Sequence, residues 1–165
     1  MSTRFHTALR MALVAVLGSA AWASQAATTT ANFQVKMAVN KTCKVTAGAA
    51  SDIDFGAQDA GATGLSQSST ITVRCTKTTP YTVGLLPGNT NTGGAGDMVN
   101  GEDKVPYQLR KTSATGAAWG NVSGNWLSGT GNGTDQSLTV WATVAEVPYV
   151  APGSYVDTVT VTVTY

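Results

Sequence analysis

Cys43 and Cys75 are the residues whose type most directly implies chemistry in this chain, and that chemistry is pairing. In an oxidising compartment two such cysteines join, and the chain carries an export signal, described below. Zinc binding or redox cycling is the alternative use. It finds no support, because there is no Cys-x-x-Cys and the single histidine, His6, lies in the stretch expected to be removed. A Cys43–Cys75 disulfide closes a loop of roughly 30 residues, which the chain-entropy model values at about 3–4 kcal/mol.

The other polar groups give little reason to expect catalysis. Hydrolysis needs a nucleophile and a base poised near neutral pH. The nine acidic residues are Asp52, Asp54, Asp59, Asp97, Glu102, Asp103, Asp135, Glu146 and Asp157. Nothing in their spacing sets two of them up as a glycosidase pair, and most sit beside glycines in turns. Asp97, Glu102 and Asp103 flank a loop that could take calcium weakly, but there is no EF-hand spacing, and Asx-turn capping or a solvated loop is the plainer reading. Trp119, Trp126 and Trp141 could stack on sugar rings. A tryptophan that anchors a long loop in the core is the commoner arrangement. No catalytic residue, metal ligand or cofactor is assigned, and an enzyme is not expected.

The scaffold for these groups begins after residue 26. Arg4 and Arg10 make a basic start, Met11–Leu17 a short apolar run, and Ala21-Trp22-Ala23 and Ser24-Gln25-Ala26 two small-residue cleavage sites. Residues 1–26 are therefore expected to be a Sec signal peptide, too short in its apolar run to span a membrane. Cleavage removes Arg4, Arg10 and His6 and leaves nine acidic against eight basic side chains. There is no basic field for nucleic acid and no polybasic patch for lipid. A near-neutral chain suits a subunit that packs against its own copies.

Thr, Val, Gly, Ser and Asn dominate, and no stretch has a helical apolar period with caps, so an all-β domain is expected. Candidate strands are Phe33–Val39, Thr42–Ala47, Asp52–Phe55, Ser69–Cys75, Tyr81–Leu86, Val105–Arg110, Ser137–Val144 and Ser154–Tyr165. Turn clusters fall at Ala57–Gly64, Pro87–Gly101, Thr112–Asn125 and Gly129–Asp135, and the glycine-rich stretches Gly88–Gly101 and Gly116–Gly133 read either as surface loops or as short irregular strands. Many short strands with frequent turns point to a sandwich or barrel. The two ends of the exported chain match. Phe33, Val35, Met37 and Val39 alternate with polar residues at one end, and Val159, Val161, Val163 and Tyr165 do so at the other. That period is the mark of a half-buried strand.

A set of short motifs resembles the spore coat protein U domain, which is shared with pilins of archaic chaperone–usher pili. The motifs are Cys43-Lys-Val45, Asp54-Phe-Gly56, Ile71-Thr-Val-Arg-Cys75, Pro80-Tyr-Thr-Val83, Val105-Pro-Tyr-Gln-Leu109 and Gly153-Ser-Tyr-Val-Asp-Thr-Val159. They run across nearly the whole exported chain. The Gly-x-Tyr-x-Asp-Thr ending is the most specific, and Trp141, where the family more often has tyrosine, is a mild departure.

The resemblance implies an incomplete immunoglobulin-like β-sandwich. One edge strand is missing, and a donor strand from a neighbouring subunit completes the fold. It implies three kinds of partner: identical or related pilin subunits, a periplasmic chaperone and an outer-membrane usher. The chain would pass through the periplasm to a cell-surface fibre that supports adhesion and biofilm formation.

On this reading residues 27–40 are the donor segment, with Phe33, Val35, Met37 and Val39 filling the groove. Residues 41–165 form the sandwich, and Lys41 marks the hinge. Tyr155, Val159, Val161, Val163 and Tyr165 line the groove and meet the chaperone. Four such apolar side chains, fully buried, give roughly 6–12 kcal/mol of transfer free energy as an upper bound. A donor segment suits a shaft or minor subunit better than a tip adhesin. The alternative is a spore-coat-like or other secreted surface or carbohydrate-binding protein with a self-complete domain.

Overall fold

The computed structural model describes residues 26–165, so the expected signal peptide lies, apart from Ala26, outside the described residues. The chain divides into two units, one ending at Met37 and one spanning Ala38–Tyr165. In the first, residues 26–37 form neither helix nor strand.

The second unit is all-β. Its strands are β1 (Cys43–Thr46), β2 (Thr63–Cys75), β3 (Pro80–Leu86), β4 (Ala95–Asn100), β5 (Asp103–Lys111), β6 (Leu127–Thr130), β7 (Gln136–Glu146) and β8 (Thr160–Thr164). Five form one sheet in the order β1-β2-β7-β5-β4, and three form a second in the order β6-β3-β8. Every strand pairing among the described residues is antiparallel.

Period-two alternation sends one face of each long strand inward. Ile71, Val73 and Cys75 of β2, Val105, Tyr107 and Leu109 of β5, and Val140, Ala142 and Val144 of β7 meet Tyr81, Val83 and Leu85 of β3 in one core. Trp119, fully buried, ties the two sheets together. Its backbone N–H donates to the Leu109 carbonyl at 2.9 Å, and its Nε1–H donates to the Val83 carbonyl at 2.8 Å. A tryptophan in this position contributes both apolar area and a hydrogen bond that the interior would otherwise leave unmade.

Several boundaries differ from the expectations, each for a physical reason. β2 begins at Thr63 rather than Ser69, because its polar first half pairs with the end of β7, Leu65 opposite Val144. β4 lies inside the expected 87–101 turn region. Its Gly96 packs on the Tyr107 ring, so the glycine that reads as a loop signal is a close-packing residue. β6 is a short strand within the glycine-rich 116–133 stretch. Asp52–Phe55 forms no strand and follows a 3-10 turn at Ala49–Ser51. Phe33–Val39 has the right alternation but no ladder, and a strand needs a partner.

Candidate functional site: an unpaired seam between β1 and β8

The Gly153-Ser-Tyr-Val-Asp-Thr-Val159 motif is the joint at which the chain passes from one sheet to the other. Val156 bridges Val99 of β4 with two backbone hydrogen bonds, 3.0 and 3.2 Å, which covers part of the β4 edge. Four residues later the chain pairs with β3, Thr160 opposite Leu86. Tyr155 folds back so that its hydroxyl donates to the Ala151 carbonyl at 2.6 Å, the tyrosine corner of immunoglobulin-like sandwiches. The tip of the β4–β5 hairpin holds the same loop, since the Asp103 carboxylate accepts from the Ala151 N–H at 3.1 Å. That hairpin turns through Gly101 and Glu102, with Gly101 at φ 63°, a left-handed value that glycine adopts without strain.

Asp157 fixes the joint. Its carboxylate accepts from the Tyr107 hydroxyl at 2.6 Å, the Gly88 N–H at 3.1 and 3.3 Å, and the Thr158 N–H at 2.8 Å. Burial holds the Tyr107 phenol well above its ordinary pKa, the hydrogen bond to Asp157 adds to this, and the negative charges of Asp157 and Asp97 add again.

Beyond the joint, β8 is at the edge of its sheet. It pairs with β3 on one side and, among the described residues, with no strand on the other. β1 is likewise an edge, paired only with β2, and it lies close to β8. The apolar residues along this seam are left half-covered: Val159, Val161 and Val163 on one side, Cys43 and Val45 on the other, all packed on the core without being enclosed by it. Such a seam presents unsatisfied backbone groups and apolar surface together, the two features that recruit another strand.

Each expected site residue has a definite place. Val159, Val161 and Val163 turn toward the core and the threonines between them outward, as the alternation predicts. Tyr165 differs: it lies past the end of β8 and is 57 % exposed. Phe33, Val35, Met37 and Val39 are 79–89 % exposed. Cys43 and Cys75 are bonded and stand directly opposite each other in the β1–β2 ladder, with Cα atoms 4.1 Å apart. Of the tryptophans, Trp119 is core, Trp141 is half-covered on the outer face of β7, and Trp126 is 37 % exposed. Asp97, within β4, accepts from the Asn89 side chain at 3.2 Å, and Asp103, at the start of β5, accepts from the Ala151 N–H. Asp157, Tyr107 and Gly88 were not singled out as a set. They are 50 and 69 residues apart in sequence, and only the motif that contains Asp157 marked the place.

A two-sheet, immunoglobulin-like sandwich whose last strand leaves an edge unfilled defines the class of incomplete β-sandwich domains. The chain belongs to the Spore Coat Protein U domain family, whose sequence pattern matches residues 29–162. It is 30 % identical to "Protein U" of Myxococcus xanthus over 177 aligned residues, covering 96 % of this chain and 99 % of that one. Among solved structures it is similar to the CsuC–CsuE chaperone–tip adhesion subunit pre-assembly complex from archaic chaperone–usher Csu pili of Acinetobacter baumannii. The TM-score is 0.54 and the identity 26 % across 77 % of this chain, which spans 40 % of the length of the chain it matches there.

Proposed function

We propose that this protein is a structural subunit of a surface fibre of the archaic chaperone–usher type, polymerising by strand donation and supporting adhesion and biofilm formation. The observation that carries the reading is the unpaired seam between β1 and β8, together with an N-terminal segment whose alternating apolar side chains are exposed. The seam lacks a strand, and residues 27–40 have the pattern of one. The family pattern begins at residue 29, so the segment belongs to what the family shares. A periplasmic chaperone would hold the seam first, an outer-membrane usher would export the subunit, and the segment of the next subunit would then replace the chaperone. Residues 1–26 would direct export and be removed.

The full-length match to Protein U favours a second reading, a coat-like surface protein with the same domain. Unboiled gel electrophoresis of the exported protein, with and without residues 27–39, separates the two. A ladder of multimers that collapses on boiling and vanishes with the deletion is the expected result. A single monomer band from both chains, with the shorter one folded, would overturn strand donation and leave the coat-like reading.

A further inference from the structure

The exported chain is nearly neutral, but its charges are sorted by position. β8 runs from one end of the sandwich to the other, Thr160 opposite Leu86 and Thr164 opposite Thr82. Where β8 finishes, the β2–β3 turn and the start of β1 meet, and Lys41, Lys44, Arg74 and Lys77 line one cleft. Lys44 stands directly opposite Arg74 in the β1–β2 ladder, a like-charge pairing that costs stability in the domain itself. Asp135, 3.9 Å from Arg74 with both side chains well exposed, is the acidic residue that offsets it. Where β8 begins lie Asp97, Glu102, Asp103 and Asp157, gathered by the Asn89, Ala151 and Gly88 hydrogen bonds at the β3–β4 loop and the β4–β5 hairpin. Glu146 ends β7 on the same side, since β5 and β7 run antiparallel, and Lys104 is the cation there.

We infer that the two ends are matched contact faces of successive copies of this chain, basic pole against acidic pole, and that this match sets the direction in which the strand is donated. This rests on the strand-donation reading and adds a partner, a second copy, and an orientation. A strand along the free edge of β8 can run either way. Its root, just before Cys43, carries Lys41 and is continuous with the basic pole. Antiparallel to β8, the root arrives where β8 begins, and basic meets acidic. Parallel to β8, it arrives where β8 ends, and basic meets basic. Opposite fields speed encounter and suppress wrong orientations, over about 10 Å at 0.1 M salt.

The test follows polymer growth from the mature chain, unfolded in urea and diluted into buffer at about 50 mM or about 500 mM salt, on unboiled gels. One variant carries Lys41→Glu, Lys44→Glu and Lys77→Glu; a second carries Asp97→Lys, Glu102→Lys and Glu146→Lys; a third carries Phe33→Asp. Either charge variant alone is expected to polymerise about tenfold or more slowly than wild type at low salt, with the gap narrowing at high salt. An equimolar mixture of the two should recover the wild-type rate, because every junction then joins opposite charges; recovery also shows that both variants fold. Equal low-salt rates for all three charge states, or no recovery on mixing, overturns the inference while strand donation stands. No ladder from wild type, or a ladder from Phe33→Asp, overturns strand donation, and this inference falls with it.

Discussion

Asp157 concentrates more of the fold's specificity than any apolar residue near it. One carboxylate joins β5 through Tyr107, the loop after β3 through Gly88, and the lead-in to β8 through Thr158. Asp157→Asn keeps an acceptor oxygen but loses the charge, and charge-assisted bonds are the stronger ones. It should cost about 1–3 kcal/mol, read as a lower urea midpoint at unchanged slope. Tyr107 gives a pH signature. Its folded pKa is raised, so the folded state holds the phenolic proton more tightly than the unfolded chain does. That contribution is complete below about pH 10 and is lost as pH rises from there toward the folded value. Wild type should therefore lose stability above about pH 10, and Tyr107→Phe should lose less, compared by urea midpoints at about pH 8 and 11. Some alkaline loss should remain, because burial raises Tyr81 as well. None of this network was legible in sequence. Gly153, Tyr155 and Asp157 marked the place through a motif, but the partners of Asp157 come from two other strands, and pairing across such separations leaves no local pattern.

The elements were legible where alternation was strong. β8 declared itself through Val159, Val161 and Val163, and β2, β3, β5 and β7 through their apolar faces. β4 did not, because Ala95-Gly96-Asp97 reads as a loop until Tyr107 is known to need the space over Gly96. Residues 33–39 show the opposite case, a strand pattern without a ladder. Their alternation describes a face that must be buried, and within the described chain it is not. The valines of β8, by contrast, are half-covered and packed on the core. Phe33→Asp or Val35→Asp should abolish the heat-labile ladder while leaving the chaperone-bound subunit folded. Normal polymer from both variants would remove the donor role from this segment.

At the scale of the molecule the sandwich treats its edges unequally. Val156 covers part of the β4 edge, while β1 and β8 lie close together as edges of different sheets, unpaired with each other. Stability should therefore be conditional on an occupant. A peptide of residues 28–39 added to the chain lacking residues 27–39 should raise its melting midpoint, by the equivalent of about 2.7 kcal/mol at a hundredfold excess over Kd. No shift at saturating peptide would mean that the seam is not its site. The position of the disulfide has a mechanical meaning in any such fibre. Tension on a chain of subunits would enter each sandwich at Lys41–Thr42, at the tip of β1, a four-residue edge strand that a pull from its end would unzip one hydrogen bond at a time. Cys43, the first residue of that strand, is bonded to Cys75 at the end of the thirteen-residue β2. The load thus bypasses the weak edge and passes into a long central strand, where rupture requires shearing many bonds at once. Fibres of a Cys43→Ser/Cys75→Ser chain should extend irreversibly at lower force than wild type in single-fibre pulling, even where both assemble to the same length.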